Sequence, residues 1–333
     1  MNVRRLIPTT AVAGAAALSL VTLSACSSSS GAASGGDKAD GKLDVVASFY
    51  PMQYLAEQIG GDHVSVTTLT EPGVEPHDLE LKPRQTSELR QADYVLYLKG
   101  IQPAVDEAIA QAGVKDTVDA ATLTKFENHG AEVGHDHGHE GEERAAEEQG
   151  HEEHGNENEA GADPHIWLDP VKYAEVAKGV GASLEKADPA NAAAYKKNTE
   201  ALLTKLNALN TAFADGLKNT ATRTFITTHS AFGYLAERYG LEQEGIAGLD
   251  PESEPSPARI KELRTVAQRD KVTTVFFETL ASDKTAKTLA GDTGLKTDVL
   301  DPLEGITDKS KGDDYIGVME SNLAALQKAL GAK

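Results

Sequence analysis

The sequence predicts an α/β protein of two lobes, each with a mainly parallel sheet flanked by helices, joined by one long rigid helix. Short runs rich in valine, isoleucine, phenylalanine and threonine alternate with segments of helical periodicity, which is the order typical of parallel sheets. A long run of good helix formers, residues 189–218, separates the two strand-bearing halves. About 255 residues remain once the terminal and acidic segments are set aside, enough for one large or two ordinary domains.

Six segments have the composition of buried strands. Several are nearly continuous in apolar residues, which indicates strands covered by helices on both faces. They are residues 43–49, 64–69, 94–98, 224–228, 274–277 and 297–300. The first three fall in the predicted N-terminal lobe, residues 43–188, and the others in the predicted C-terminal lobe, residues 219–333.

Helix signals lie between these segments. Ser256 precedes Pro257, a pattern typical of an N-cap followed by proline at the first helical position. The last helix has apolar residues at helical spacing, which predicts a face packed on the core; they are Ile316, Met319, Leu323, Leu326 and Leu330. The run at 189–218 would form a rod of roughly 40 Å. A rod of that length can cross both lobes, so we expect a cleft between them.

A short apolar segment near the N-terminus predicts export. Arg4 and Arg5 precede mostly small and apolar residues at 11–23, a length typical of a signal-peptide core and too short to span a bilayer. The segment ends in Leu-Ser-Ala-Cys, which resembles a bacterial lipobox, and Cys26 is the only cysteine of the chain. We therefore expect a signal peptide at 1–25, a lipidated Cys26 and a flexible tether at 26–42. The protein would be anchored to the outer face of the bacterial cytoplasmic membrane, facing a periplasm if an outer membrane exists.

Residues 127–160 are acidic and rich in histidine. Twelve carboxylates and one arginine give the segment a formal charge of −11, more than half of the chain's −20, and this acidity disfavours nucleic acid as a partner. Because almost nothing in it is apolar, we predict a disordered loop. Mixed imidazole and carboxylate tracts attract divalent metals weakly, although a solvated acidic linker is the simpler alternative. The candidate auxiliary ligands are His129, His135, His137, His139, His151 and His154.

Polar side chains also follow the predicted strands, where ligands bind in open parallel sheets. His229 and Glu278 directly follow two strands of the C-terminal lobe. His77 lies in a proline-stiffened loop after a strand of the N-terminal lobe, and His165 comes directly after the acidic segment beside the only tryptophan. His63 has no such placement, and we interpret it as an ordinary surface histidine.

Three histidines and one carboxylate would satisfy a four-coordinate metal, although each histidine taken alone is more often a hydrogen-bonded structural residue. This donor set suits Zn(II) better than the oxygen-rich sites of magnesium or calcium. A carboxylate in place of one histidine would favour Mn(II), and Asp283 is the candidate for an added or substituted oxygen ligand. Asp283 also sits where a helix is predicted to begin, so the alternative is that it faces the positive end of that helix.

The chain resembles the zinc- and manganese-binding solute-binding lipoproteins of bacterial metal ABC importers, and among them the zinc-uptake branch. The resemblance runs from residue 43 almost to the C-terminus. The lipobox of this chain and the histidine-rich loop before His165 are also typical of the zinc-uptake branch. The matching segments are ASFYPM at 47–52, PHD at 76–78, LKP at 81–83, DPHIWLDP at 163–170, THSAFGY at 228–234, EPSP at 254–257 and FFE at 276–278.

The resemblance implies that metal is held between the lobes by His77, His165, His229 and Glu278, the last being the position at which members differ. It implies a monomeric binding protein, not an enzyme, that captures Zn(II) and delivers it to a membrane permease. The histidine-rich loop varies among members, so its role stays open between concentrating metal, handing it over and sensing excess.

Three alternatives remain open from the sequence. The first is a manganese-uptake binding protein. The second is a zinc hydrolase, with a water on the metal and Glu278 as general base, although neither HExxH nor GxSxG is present. The third is a surface adhesin or a metal-buffering lipoprotein.

Overall fold

The structure, a computed structural model, describes residues 41–129 and 162–333. The chain divides into two units, Met1–Ala39 and Asp40–Lys333, and every element described below belongs to the second. The predicted signal peptide and the tether with Cys26 lie outside the described residues. So do five of the six loop histidines, His135, His137, His139, His151 and His154.

The N-terminal sheet has four parallel strands in the order β2-β1-β3-β4. They are β1 (Leu43–Ala47), β2 (Val64–Thr68), β3 (Tyr94–Tyr97) and β4 (Asp116–Asp119). In the register, Val45 of β1 lies opposite Val66 on one side and Tyr94 on the other. Three helices connect the strands, and each has proline at its start, where the missing N–H has no helical partner to lose. They are α1 (Tyr50–Gly60), α2 (Pro83–Gln91) and α3 (Pro103–Ala112).

Two helices follow, before the second sheet. They are α4 (Pro170–Ala187) and α5 (Ala192–Gly216), separated by the turn Pro189–Asn191. The side chain of Asp169 caps α4 by accepting a hydrogen bond from Val171 N at 2.9 Å. The sequence analysis did not single out α4, whereas α5 lies inside the predicted linking helix.

The C-terminal sheet repeats the topology of the first, with the order β6-β5-β7-β8 and all pairs parallel. Its strands are β5 (Thr224–Thr227), β6 (Glu242–Gly245), β7 (Thr274–Phe277) and β8 (Lys296–Val299). Its helices are α6 (Gly233–Tyr239), α7 (Pro257–Arg269), α8 (Lys284–Thr293) and α9 (Tyr315–Leu330). Two four-stranded parallel sheets flanked by helices confirm the predicted fold class.

Helix α5 contacts elements of both sheets. It packs on α1 and α4 on the N-terminal side and on α9 on the C-terminal side. Its 25 residues span roughly 38 Å, and its inward face is buried in the main apolar core. The buried residues of that face include Tyr195, Leu202, Leu206, Leu209 and Phe213. The lobe boundaries at 188 and 219 stay a prediction.

The strands that the sequence analysis missed are β4 and β6. Both lie at the edge of a sheet, and their sequences, Asp-Thr-Val-Asp and Glu-Gln-Glu-Gly, are mostly polar. The outer side of an edge strand meets solvent, so these two strands tolerate polar residues and lack the apolar pattern by which the other six were identified.

Two local helix predictions are confirmed. Ser256 caps α7, its hydroxyl accepting from Arg259 N at 3.1 Å. Helix α9 packs the expected stripe on the core, with Met319 and Leu326 fully buried and Ile316 half-buried. Within the described ranges, none of the helices combines the length and apolar character needed to cross a bilayer.

Candidate metal centre

Four side chains converge where the strands of the two sheets end. Each side chain contributes one donor atom, and these four atoms all lie within 4.8 Å of one another. The residues are His77, His165, His229 and Glu304. Oε1 of Glu304 lies 3.3 Å from Nε2 of each of the three histidines. The Nε2 atoms of His165 and His229 are 3.4 Å apart. Donors bound to one tetrahedral zinc at 2.0–2.1 Å are separated by roughly 3.3 Å, so these spacings match such an ion.

The topology brings these donors together. His77 comes from the loop after β2, in the first sheet. His229 follows β5 and Glu304 follows β8, both in the second sheet, while His165 immediately precedes the turn Ile166–Leu168 that leads into α4. Because parallel strands end at one edge, both sheets deliver side chains to the same place. His165, His229 and Glu304 are buried, whereas the side chain of His77 is 12% exposed and marks the route to solvent.

The backbone before Glu304 is held in an uncommon conformation. Leu303 has a φ of 58°, in the left-handed region that costs a non-glycine residue about 1 kcal/mol or more. Two features stabilise this conformation. The Leu303 side chain is fully buried, and the backbone N–H of Leu303 donates to Oδ1 of Asp301 at 2.9 Å. The turn redirects the chain after β8 so that the Glu304 carboxylate lies beside the three imidazoles.

Two further carboxylates contact the other ring nitrogen of two of the histidines. Nδ1 of His165 lies 2.7 Å from Oδ1 of Asp163, and Nδ1 of His229 lies 2.6 Å from Oε1 of Glu278. Thr228 also donates its hydroxyl hydrogen to Glu278. Metal-binding histidines commonly donate the second ring N–H to a carboxylate, which leaves Nε2 free for the metal. Asp163 and Glu278 are therefore placed to fix the tautomer and the ring plane.

Burial and charge shift the ionisation of this cluster. Burial disfavours charge on His229, but the nearby carboxylates of Glu278 and Glu304 hold the pKa of His229 well above its ordinary value. Burial likewise disfavours ionisation of Glu304, yet the imidazoles, His229 foremost, hold the pKa of its carboxyl well below the usual range. Without a cation, the charged forms of His229 and Glu304 therefore stabilise each other. A divalent metal would compete with the proton on His229.

Glu75 is a neighbour of the site that the sequence analysis did not select. Its Oε1 accepts a hydrogen bond from the backbone N–H of His77 at 3.2 Å. Burial, reinforced by the charge of Glu304, raises the pKa of the Glu75 carboxyl to about 9. Glu75 is thus neutral near pH 7 and adds no further charge beside His77.

One hydrogen bond joins the segments that carry His165 and Glu304. The indole Nε1 of Trp167 donates to the carbonyl oxygen of Pro302 at 2.7 Å. The Trp167 ring is fully buried, 5.1 Å from the ring of His165. Tyr315 at the start of α9 donates its hydroxyl hydrogen to the Trp167 carbonyl at 2.6 Å. These contacts fix the spacing between two of the four donors.

The structure brings His77, His165 and His229 together, and places the carboxylates expected beside them differently. Glu278 contacts Nδ1 of His229, behind the ring, and is not among the four converging donors. Asp283 precedes α8, is 39% exposed and pairs with Lys287 of the next helical turn at 2.5 Å. Glu304 was missed, although residues 297–300 were predicted to be a strand. Applying the strand-end argument to that strand would have drawn attention to the Asp-Pro-Leu-Glu that follows it.

Two other histidines named from the sequence lie outside this cluster. His63 is half-buried in a turn before β2 and packs edge-on against Tyr195. His129, the one loop histidine within the described residues, contacts Glu237 and approaches Asp163.

The fold and the cluster define a two-lobed solute-binding protein. The chain belongs to the family described as zinc-uptake complex component A, periplasmic, whose profile matches residues 45–329. This confirms the resemblance drawn from the motifs.

Two relatives illustrate the family. The chain is 37% identical over 317 residues to the high-affinity zinc uptake system protein ZnuA of Bacillus subtilis, covering 93% of this chain and 94% of that protein. It is 36% identical over 318 residues to the zinc-binding lipoprotein AdcA of Streptococcus pneumoniae, covering 93% of this chain but only 60% of AdcA.

Solved structures of similar proteins have the same fold. The Zn(II)-bound ZnuA-like domain of that AdcA matches with a TM-score of 0.69 and 32% identity, over 87% of this chain and 99% of the domain. The laminin-binding protein Lmb of Streptococcus agalactiae, described as bifunctional with adhesin and metal-transporting activity, matches with a TM-score of 0.72 and 27% identity, over 86% of this chain and 99% of Lmb.

Proposed function

We propose that this protein is the extracytoplasmic binding component of a high-affinity Zn(II) ABC importer. It captures zinc between its two lobes and delivers it to a membrane permease. The observation that carries the proposal is the position of Oε1 of Glu304, 3.3 Å from Nε2 of each of the three histidines, together with the 3.4 Å between the Nε2 atoms of His165 and His229. In this proposal His77, His165, His229 and Glu304 hold the ion, and Asp163 and Glu278 orient two of the imidazoles.

The donor set supports zinc as the cargo. Three neutral imidazoles and one carboxylate suit a borderline tetrahedral cation, and four protein donors leave no position open for a substrate or a reactive water. The protein is therefore proposed to bind without catalysing a reaction. The lack of an open position also disfavours a zinc hydrolase. In addition, Glu278, the candidate general base, contacts Nδ1 of His229 and does not face the four-donor cluster.

The manganese alternative would require more oxygen ligands around the ion. Asp283, the candidate for that role, pairs with Lys287 outside the four-donor cluster. This placement favours zinc over manganese.

A competition titration of Zn(II) against Mn(II) on metal-stripped protein would test the assignment. We expect one tight equivalent that prefers zinc by orders of magnitude. Alanine at His77, His165 or His229 should each weaken that equivalent sharply, whereas His63→Ala, a matched histidine outside the cluster, should not. Comparable or stronger binding of manganese would instead indicate a manganese-uptake protein, and unchanged affinity in all three variants would refute the site.

Export and lipid anchoring remain part of the proposal. We propose that Cys26 is lipidated and holds the protein at the outer face of the membrane. Cys26→Ala should then release the protein from the membrane fraction, and membrane association that persists in this variant would contradict the anchor.

The histidine-rich segment is proposed to be auxiliary. Deletion of residues 129–159 should remove weak metal equivalents and leave the tight one. Loss of the tight equivalent would place the main site in the segment instead.

A surface-adhesion role is the alternative from another class, and the likeness to a protein described as bifunctional keeps it in view. Binding to an extracellular partner that survives loss of His77 and His229 would support such a second role.

A further inference from the structure

The described residues contain a second group of converging donors, separate from the principal site formed by the four residues above. Glu127, His129 and Glu237 each place one donor atom within 4.8 Å of the other two. Nε2 of His129 lies 2.6 Å from Oε2 of Glu237 and 3.9 Å from Oε2 of Glu127. Glu237 lies on α6, more than 100 residues along the chain, so tertiary contact rather than local sequence assembles the group.

The other ring nitrogen of His129 faces a buried carboxylate oxygen. Nδ1 of His129 is 3.4 Å from Oδ2 of Asp163. Asp163 is fully buried, and within the described residues its Oδ2 has no hydrogen bond of good geometry. A small rotation of the imidazole would allow its Nδ1–H to donate to this oxygen. Nε2 would then be free to bind a cation between Glu127 and Glu237.

One carboxylate thus serves two imidazoles. Oδ1 of Asp163 lies 2.7 Å from Nδ1 of His165, within hydrogen-bond distance, and Oδ2 of Asp163 faces Nδ1 of His129. Histidines that bind metals are commonly oriented by a carboxylate on the second ring nitrogen. Asp163 is placed to direct Nε2 of His165 toward the principal site and Nε2 of His129 toward the second group.

The start of α6 fixes this arrangement. A Cβ at Gly233 would lie 2.4 Å from Cβ of His129 and 2.8 Å from Oδ2 of Asp163, so the close approach requires glycine there. The hydroxyl of the next residue, Tyr234, accepts from Glu127 N at 2.9 Å and donates to the Asp163 carbonyl at 2.9 Å. The backbone is therefore held on both sides of the segment 128–162.

The neighbouring lysines do not occupy the carboxylate oxygens of Glu127 and Glu237 that would bind a cation. Lys172 and Lys125 approach Oε1 of Glu127, at 3.5 and 4.0 Å, while Oε2 stays on the side of His129. The Glu237 side chain is 62% exposed and can move by the roughly 0.7 Å that separates its present contact with His129 from tetrahedral spacing. Two carboxylates and one imidazole leave room for water to complete the coordination.

We propose that Glu127, His129 and Glu237 form a second, weaker site for a borderline divalent cation such as Zn(II), linked to the principal site through Asp163. The proposal goes beyond zinc capture at the principal site, and it does not depend on the histidines at 135–154. A partly exposed site with fewer imidazoles should release metal more readily than the buried cluster.

The test uses the complete chain with five histidines replaced by glutamine, so that His129 is the last imidazole of the histidine-rich segment. The replaced residues are His135, His137, His139, His151 and His154. Titration of metal-stripped protein with Zn(II) alone should give two equivalents, one tight and one weaker. In this background His129→Gln should abolish the weaker equivalent, and Glu237→Gln should weaken it about ten-fold. The matched control His63→Gln should retain both the tight and the weaker zinc equivalent.

Titration with Co(II) gives an independent signal. Ligand-field absorption from the weaker equivalent should disappear in His129→Gln while absorption from the tight equivalent remains.

A single equivalent in the five-glutamine background would mean that Glu127, His129 and Glu237 form only an ion-paired cluster. A weaker equivalent whose affinity is unchanged in both His129→Gln and Glu237→Gln would equally overturn the proposal. Failure of the principal site would appear as loss of the tight equivalent, so the two failures are distinguishable.

Discussion

At the scale of single residues, the position of a carboxylate around an imidazole decides its role. Glu304 faces the Nε2 atoms of three histidines, whereas Glu278 faces Nδ1 of His229. On this basis we assign the metal contact to Glu304 and the orienting contact to Glu278. Both residues follow strands of the same sheet, so their spacing in the sequence does not separate the two roles.

Glutamine substitutions should distinguish these roles. Glu304→Gln removes an anionic donor, so we expect zinc affinity to fall by roughly 100-fold or more, and Glu278→Gln should cost about 10–100-fold. Asp283→Asn changes a matched carboxylate that lies just before α8 and outside the cluster, and it should leave the affinity unchanged. Chelator competition would measure all three. A larger loss from Glu278→Gln than from Glu304→Gln would return Glu278 to the position of fourth ligand.

The raised pKa of His229 gives the metal-free and zinc-bound proteins opposite responses to pH. A folded-state pKa above the unfolded value stabilises the metal-free protein most below the unfolded pKa. That stabilisation is lost as the pH rises through the folded-state pKa. Zinc needs the unprotonated imidazole, so its binding strengthens over the same rise.

We therefore expect the zinc-induced increase in melting temperature to grow between about pH 6 and about pH 8. Thermal unfolding with and without zinc would measure it, and Glu304→Gln should flatten the trend. A zinc-induced increase that shrinks as the pH rises would contradict the assignment of imidazole ligands.

At the scale of elements, the site depends on contacts between segments that lie far apart in the sequence. Trp167 lies in the turn that leads into α4, and its indole bonds to Pro302, just before Leu303 and Glu304. Tyr315 at the start of α9 holds the same turn from the other side. These bonds set the distance between the segments of His165 and Glu304.

Trp167→Phe should weaken both folding and zinc binding. The change leaves the Pro302 carbonyl without its partner and opens a space in the core, so we expect a loss of about 2–4 kcal/mol in the free energy of unfolding. Zinc affinity should fall as well, because His165 and Glu304 lose their fixed spacing. Denaturant unfolding and zinc titration would measure the two effects.

Tyr195→Phe provides the control for this change. It removes one hydrogen bond, to Asp188 at the junction of α4 and α5, and should lower stability slightly without altering zinc affinity. Equal effects of Trp167→Phe and Tyr195→Phe on zinc affinity would refute a positioning role for the indole.

At the scale of the whole molecule, the charge distribution favours the approach of cations. The chain carries a formal charge of −20, of which residues 127–160 contribute −11. A strongly acidic surface raises the local concentration of cations and speeds their association, and salt screens this effect.

The association rate constant of zinc should therefore fall several-fold as the ionic strength rises from about 10 mM to about 0.5 M. Replacing the acidic residues of the segment 130–159 with glutamine or asparagine should reduce that dependence by about half while leaving the tight equivalent in place. Stopped-flow measurements would test both statements. A rate independent of salt would exclude electrostatic steering.

The sequence by itself predicted the fold class and selected the three histidines that the structure brings together. Continuous apolar runs mark the central strands because they are buried on both faces, and parallel strands end at one edge, which predicts where polar residues will meet. The polar edge strands β4 and β6 escaped this argument because solvent, not the core, meets their outer sides.

Only the tertiary structure decided which carboxylate faces the Nε2 atoms of the three histidines. Glu278 directly follows β7 and Glu304 lies in the loop after β8, so both follow strands of the second sheet and the sequence alone does not separate their roles. The backbone turn at Leu303 and the direction of each imidazole ring distinguish them, and both depend on packing around Trp167 and His229. The contact of His129 with Glu237 likewise joins residues more than 100 positions apart, and no local pattern encodes such a distance.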